Sequence, residues 1–361
     1  MVAYSNLKFF CYRIFYRTVS NMKNIFYFIN KILFKRGNLL FFLFLVACFL
    51  SRLNTQFYLI DIIGQLGFQI IIGGILLFFI LLILKRLLAS LICILICVLL
   101  TIDILSSCNQ CNAFLEDKSQ NYNKIRLMTF NTGMSNDFKN IRELILFEKP
   151  DVINFQEVSP QIQDKLKSLK SLFPYNTGLD KPLEHLSSII LSKYPLKNNK
   201  VMDYHVVLTS LILDEAELTI IGIHLSAPLN QLLLKLYLDL NSNFSNATIP
   251  QPLPLVSLDF AIKQMEYLKT LIGNTNQNLI LMGDLNMTTT SKRFTNFLND
   301  TNLYTYTSYK HPTFTWPTFL PVFFGVQIDH VLFSKNFKVI VKKTTNHIGS
   351  DHTPLIVDLA F

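Results

Sequence analysis

Three uncharged apolar runs open the chain: GNLLFFLFLVACFLS between Arg36 and Arg52, IIGQLGFQIIIGGILLFFILLIL between Asp61 and Lys85, and LLASLICILICVLLTI between Arg86 and Asp103. Crossing a hydrocarbon core takes about 20 apolar residues, fewer where a flanking Arg or Lys reaches the interface. The runs therefore predict three transmembrane helices, at 37–54, 62–84 and 87–105. A cleaved secretory signal would be followed by a polar mature sequence, and here two more apolar runs follow the first.

After residue 124 the pattern shortens to runs rich in Ile, Val, Leu and Phe, which predict strands at 125–131, 151–156, 187–192, 206–213, 217–224, 278–284, 327–333, 337–343 and 354–360. Helical periodicity appears at 138–148, 159–171, 257–272 and 290–299. Several strands succeed one another across short turns. That order suits two packed sheets with outer helices better than a doubly wound parallel sheet, and the fold class is α/β.

Composition excludes disorder, since half of the 361 residues are hydrophobic and 16% are charged. The formal charge of +9 invites a nucleic-acid reading until it is located. Residues 1–123 hold 11 basic and 4 acidic side chains, leaving only +2 for residues 124–361. Most of the basicity thus lies in the N-terminal tail and at Lys85–Arg86, where it acts as a positive-inside signal. The predicted layout is a basic cytoplasmic tail (1–37), transmembrane helices (38–106), a linker (107–123) and the α/β domain (124–361). Three crossings put that domain outside the cytoplasm of an integral membrane protein. All six cysteines precede residue 124, and Cys108 and Cys111 form a CxxC where a disulfide could form.

Polar residues at strand ends carry the chemistry. Asn131 ends the first strand, Gln156 and Glu157 the second, and His224 the fifth; Asp284 and Asn286 follow NLILMG, Asp329 and His330 sit in QIDHVLF, and Asp351 and His352 precede the last strand. Carboxylate and amide oxygens suit a hard cation such as Mg²⁺, and imidazole moves protons. Asp284 and Asn286, two apart, point the same way on an extended backbone. Taken singly, each has a structural explanation as a turn former, cap or packed histidine.

Together, MTFN, NFQEV, IHLSAP, MGDLNM, QIDHVLFS and GSDHTPLIVDL resemble, in that order, the motifs of the endonuclease/exonuclease/phosphatase superfamily, across essentially all of residues 125–361. With the apolar anchor, the chain resembles a membrane-anchored bacterial subgroup of it. The resemblance implies a four-layer αββα sandwich and a phosphoesterase dependent on Mg²⁺ or Mn²⁺, hydrolysing a phosphodiester or phosphomonoester by in-line attack of water. It implies that Glu157 binds the metal with Asn131 beside it, and that Asp284 orients or deprotonates the water. Asn286 would hold the phosphate. His352 would contact the phosphoryl group or act as base, with Asp329 orienting it and Asp351 as a further metal or water ligand. His224 would be the general acid, although the glutamate that orients this histidine in deoxyribonuclease-like members has no clear counterpart beyond Glu184. His330 is expected to pack or to support the site, and His185, His205, His311 and His347 to lie on the surface.

The substrate stays open between nucleic acid and a phospholipid or sugar phosphate. A charge of +2 and the lack of a Lys/Arg stripe weigh against nucleic acid. The apolar segments 229–258 and 311–325 either cover their own core or rest on lipid, which would make the bilayer a partner and a phospholipid or sphingomyelin-type ester the substrate. No obligate protein partner is evident. A non-catalytic membrane-bound scaffold is the rival class, disfavoured by the complete motif set. The expected location is a bacterial inner membrane with the catalytic domain periplasmic.

Overall fold

Alternation along each strand decides the architecture. In the computed structural model, β1 (Lys124–Asn131) turns Ile125 and Leu127 toward one core and Met128 and Phe130 toward another, and β8 (Leu279–Asp284) divides Ile280 and Met282 from Leu279 and Leu281 in the same way. Strands buried on both faces read as continuous apolar runs, which is why they are so visible in the sequence. The structure describes residues 37–53, 58–111, 113, 122–133, 135, 137–182, 188–213, 216–227, 259–275, 278–308, 312–321 and 324–361. The basic tail, Glu184, His185, His311 and the apolar segment 229–258 fall outside them.

Six strands form one sheet in the order β10-β11-β1-β2-β4-β3 and five form a second in the order β5-β6-β7-β8-β9. The first contains β1, β2 (Val152–Gln156), β3 (Tyr175–Asn176), β4 (Ser188–Ser192), β10 (Lys338–Thr344) and β11 (Leu355–Ala360). The second contains β5 (Leu196–Val201), β6 (Val207–Leu213), β7 (Ala216–His224), β8 and β9 (Asp329–Phe333). A core of Leu127, Val152, Ile220, Met282, Val331 and Val357 fills the space between them. On the outer side of the first sheet, Met128, Phe155 and Ile356 meet Ile141 and Ile145 of α5 (Phe138–Glu148) and Ile162 and Leu166 of α6 (Pro160–Leu166). The second sheet is covered by Leu268 of α7 (Asp259–Gly273) and Phe294, Phe297 and Leu298 of α8 (Lys292–Thr301). The mixed α/β fold with two sheets is as the sequence predicts. β5 escapes prediction because it is a polar strand at the sheet edge, with the sequence LKNNKV and all but its first residue exposed.

The apolar third differs from expectation. Two compact units divide the chain, one of Met1–Leu50 with Ile70–Asp103 and one of Ser51–Gln69 with Ile104–Phe361. In the first unit the helices α1 (Gly37–Ser51), α3 (Gly67–Ile83) and α4 (Leu87–Ser106) bury Phe44, Gly74, Cys93 and Cys97 against one another. Leu, Ile and Phe side chains such as Phe42, Leu76, Phe79, Leu88, Leu91 and Leu95 stay exposed. Among the described residues only α4 is long and apolar enough to cross a membrane by length and composition; α1 and α3 are shorter. Three full spans at 37–54, 62–84 and 87–105 are therefore not supported. The run 62–84 breaks at Leu66, because its first residues belong to a separate helix, α2 (Tyr58–Gln65), that packs in the second unit. An uncharged run need not face lipid throughout.

The stretch expected as a linker is partly built into the second unit. The Thr305 and Thr307 amides donate to the Gln110 and Cys111 carbonyls at 2.9 and 2.8 Å, and Val339 donates to Ala113 at 2.8 Å. Cys108 and Cys111 form a disulfide in the core beneath α7 and α8.

At Gly283, φ is +152° and a Cβ would collide with the Ile223 carbonyl oxygen of the neighbouring strand β7. Gly283→Ala should therefore lower unfolding stability by more than about 4 kcal/mol, read as a shift in the denaturation midpoint of the purified full chain.

Candidate active site

Register assembles the site. Parallel pairing of β7 with β8 sets His224 opposite Asp284, and antiparallel pairing of β8 with β9 sets Asp284 opposite Asp329. All three lie at one edge of the second sheet, on the side chains' inter-sheet face, since they continue the inward series Ile220, Gly222, His224 and Ile280, Met282, Asp284. From the first sheet, Asn131 continues the inward series of β1 at the same end. Its amide Nδ2 donates to Asp284 Oδ2 across the sheets and to Glu157 Oε1, each at 3.0 Å. One buried amide thus holds two carboxylates together.

Local backbone supports this placement. Asn131 Oδ1 accepts from the Gly133 amide at 2.9 Å, and its carbonyl accepts from Ser350 Oγ at 2.8 Å, which fixes the asparagine's orientation. Glu157 sits just beyond β2 with φ +48°, in the left-handed region that non-glycine residues seldom occupy, and its carbonyl accepts from Thr132 Oγ1 at 2.6 Å. Asn286 is left-handed as well, at φ +49°, a conformation asparagine tolerates. Its amide N–H donates to Asp284 Oδ1 and its side-chain Nδ2 to the Leu225 carbonyl, both at 2.8 Å. Among the described residues Nδ2 makes this one bond, so its second hydrogen is available to a substrate oxygen.

His352 arrives on the loop before β11. Its amide donates to Ser350 Oγ at 3.0 Å, and its Nδ1 meets Asp329 Oδ2 at 2.9 Å. Nε2 lies 3.8 Å from Asp284 Oδ2. Burial pulls this imidazole down, but Asp329, Asp284 and Asp351 outweigh it and raise its pKa to about 10. With carboxylates at both ring nitrogens, the doubly protonated ring is the form the geometry fits. Burial, reinforced by Asp329, pushes the Asp284 carboxyl up to about 6, against the pull of His352, His224 and the Asn286 amide. Asp284 is therefore mainly ionised at neutral pH. His224 Nε2 lies 3.4 Å from Glu157 Oε1 and 3.6 Å from Asp284 Oδ2, so these carboxylates face it.

Seven of the eight expected residues converge: Asn131, Glu157, His224, Asp284, Asn286, Asp329 and His352. Asp351 lies outside the buried group, near enough for its charge to act on His352. It is exposed and accepts from Trp316 Nε1 at 3.0 Å. His330 lies on the outer face of β9, where its Nε2 bonds the Met287 carbonyl at 2.8 Å and its ring packs on Phe294. Burial and then the Lys342 charge lower its pKa to about 3, so it is neutral and structural. His205 and His347 are exposed. Ser350, Thr132 and Trp316 were not singled out from the sequence, although Ser350 is in the same word as His352; hydroxyl and indole roles depend on neighbours that only the folded chain supplies.

Hard divalent cations take carboxylate oxygens, and Mg²⁺ keeps several waters while using one or two carboxylates. Glu157 is the carboxylate here with solvent access, at 30% side-chain exposure. Asp284 and Asp329 bring further carboxylate oxygens beside it, and the buried Asp329 Oδ1 has no hydrogen-bond partner. The donor set fits a hard cation.

Two facing sheets with this carboxylate, amide and imidazole set define a phosphoester hydrolase. The model of the Endonuclease/Exonuclease/phosphatase family matches residues 128–352, and the chain belongs to that family. No curated protein matches the sequence. Among solved structures the chain is similar to a Staphylococcus aureus beta toxin variant with bound magnesium ions (14% identity, TM-score 0.47, 65% of this chain and 99% of that one). It is also similar to sphingomyelinase C from Streptomyces griseocarneus (14%, 0.42, 65% and 99%) and to an endonuclease/exonuclease/phosphatase from Beutenbergia cavernae (15%, 0.45, 66% and 72%).

Removing the Asp329 charge leaves burial less opposed at His352. Asp329→Asn should lower the His352 pKa, which NMR titration of its ring protons in the metal-free protein would detect. An unchanged titration would contradict the pairing.

Proposed function

We propose that the chain is a membrane-attached phosphoesterase, dependent on Mg²⁺ or Mn²⁺, that works on the outer side of a bacterial inner membrane. The observation that carries the catalytic reading is the Asn131 amide joining Glu157 to Asp284, with the Asp329–His352 pair and His224 around them. Glu157 would hold the cation at the solvent-accessible rim, where it would supply neutralisation of phosphoryl charge. Asp284, ionised and oriented by the Asn131 and Asn286 N–H groups, accepts the proton of the attacking water. His352, kept protonated by Asp329, donates to a nonbridging oxygen, and Asn286 offers its free amide hydrogen to another. His224, exposed on one side, protonates the leaving oxygen.

Membrane attachment is supported by the many Leu, Ile and Phe side chains that the helical unit leaves exposed, Phe42, Leu76, Phe79, Leu88, Leu91 and Leu95 among them. Only 28% of the apolar window of α4 is buried, unlike the core helix of a water-soluble domain. Lys85 and Arg86 precede α4 and favour a cytoplasmic start, which carries residues after Ser106 outward. A disulfide at Cys108–Cys111 is at home in that oxidising compartment.

A lipid phosphoester is the second reading, favoured over nucleic acid by one observation. The loop that binds Asp351 through Trp316 Nε1 and the Thr318 amide also exposes Phe319, Leu320 and Phe324. Such side chains suit an interface with acyl chains.

Full-length protein in detergent, assayed on bis(p-nitrophenyl) phosphate and p-nitrophenyl phosphate, should turn over one of them with Mg²⁺ and stop with EDTA. Glu157→Gln and Asp284→Asn should each reduce kcat by roughly 10²-fold or more with folding intact. A folded protein inert toward both esters with either metal would overturn the catalytic reading. For topology, a reporter active only outside the cytoplasm, fused after Phe361, should give signal; activity of a cytoplasm-only reporter there would reverse the orientation.

A further inference from the structure

The chain leaves α1 at Ser51 and reaches α3 at Gly67, and between them Arg52 and α2 are packed in the catalytic unit against the loop that follows β8. That loop, 285–291, carries Asn286 and has no strand or helix of its own. Thr288 Oγ1 donates to the Gln65 carbonyl at 2.9 Å and Thr290 Oγ1 to the Gly64 carbonyl at 3.0 Å. These carbonyls end α2, where a helix has no N–H left to satisfy them. Arg293 Nη2 donates to Asp61 Oδ2 at 2.7 Å, in an ion pair whose side chains are 13% and 8% exposed. Asp61 also accepts from Ser291 Oγ at 3.4 Å and from Gln65 Nε2 at 2.8 Å. Ser291 is the N-cap of α8, so the Asp61 carboxylate lies at the helix end that favours negative charge. Arg52 Nη1 donates to the Thr290 carbonyl at 3.0 Å. Gly67 permits the close approach, since a Cβ there would stand 2.8 Å from Thr290 Cβ.

We propose that Arg52 and α2 are a positioning element of the active site, with Asp61 and the C-terminal carbonyls of α2 holding the 286–293 segment and thereby setting Asn286 against Asp284. This rests on the phosphoesterase reading for its effect on rate, though not for the docking itself. Asn286 touches Asp284 through its own backbone N–H, so movement of Thr288, two residues on, alters the orientation of the carboxylate that accepts the proton. Every brace contact comes from residues N-terminal to the family match at 128–352. The stretch between the first two apolar helices would then be part of the enzyme's working machinery.

The test uses the full chain in detergent. Asp61→Asn and Thr288→Val should each speed amide hydrogen exchange at 286–291, with β8 amides unchanged. Each should lower kcat by roughly tenfold while KM for bis(p-nitrophenyl) phosphate moves less than twofold. Thr288→Ser keeps the hydroxyl and should retain both properties. If Asp61→Asn does not fold, the Thr288 pair decides alone. Unaltered exchange at 286–291, or unaltered kcat in folded variants, overturns the proposal; a contact that serves stability alone would lower the melting temperature and leave kcat as it was. A wild-type chain that hydrolyses no ester overturns the phosphoesterase reading instead, and the exchange comparison still reports whether α2 holds the loop.

Discussion

Two carboxylates from different sheets, Glu157 and Asp284, are held by one amide, and the remainder of the site follows from that constraint. Ionised carboxylates brought together out of water repel each other and lose hydration, so their neighbourhood must supply donors and positive charge. Asn131 supplies two donated hydrogen bonds, His224 lies within 3.6 Å of both carboxylates, and His352 lies 3.8 Å from Asp284. Asn131 can do this because its own oxygen and carbonyl are both engaged, by Gly133 and Ser350. A rotated amide would present an oxygen to two carboxylates. The first and second sheets are thus keyed to one another at the catalytic edge by polar contacts, while Leu127, Ile220, Met282 and Val357 key them along the apolar interior.

The two histidines of β9 and its neighbouring loop show how strand faces separate roles. Asp329 points between the sheets and binds His352; His330, one residue on, points the other way and binds the Met287 carbonyl beneath Phe294. The first imidazole is held protonated by carboxylates, and the second is held neutral by burial. Gln327 links to the same layer, donating to the Asp329 carbonyl and bonding His330 Nδ1, so His330 carries its proton on Nε2. That tautomer supports the backbone immediately after Asn286.

The segments that continue into the apolar helices are themselves built into the catalytic unit. Arg52 and α2 dock there through an ion pair and threonine–carbonyl bonds, and Gln110, Cys111 and Ala113 through backbone hydrogen bonds beside the Cys108–Cys111 disulfide. Each attachment lies within the catalytic unit while continuing covalently into an apolar helix. Buried polar contacts of this kind are costly to break singly, because each leaves an unsatisfied partner.

The sequence by itself determined the two-sheet α/β class, the positions of nearly all the long strands and the identity of seven converging site residues. Strands buried on both faces leave apolar runs that stop at a functional polar residue, and those stops are legible without coordinates. It did not reveal β5, whose polar edge lacks that signal, nor that Asp351 turns to Trp316 while Asp329 and Asp284 flank His352. Nor could hydropathy distinguish the part of 62–84 that faces outward from the part that packs on Thr288 and Thr290, since both are uncharged. Periodicity and motif are local properties and survive in one dimension. Register across strands, the partner of each carboxylate and the docking of α2 depend on residues far apart in the chain, 232 positions in the case of Asp61 and Arg293, and only the tertiary structure decides them.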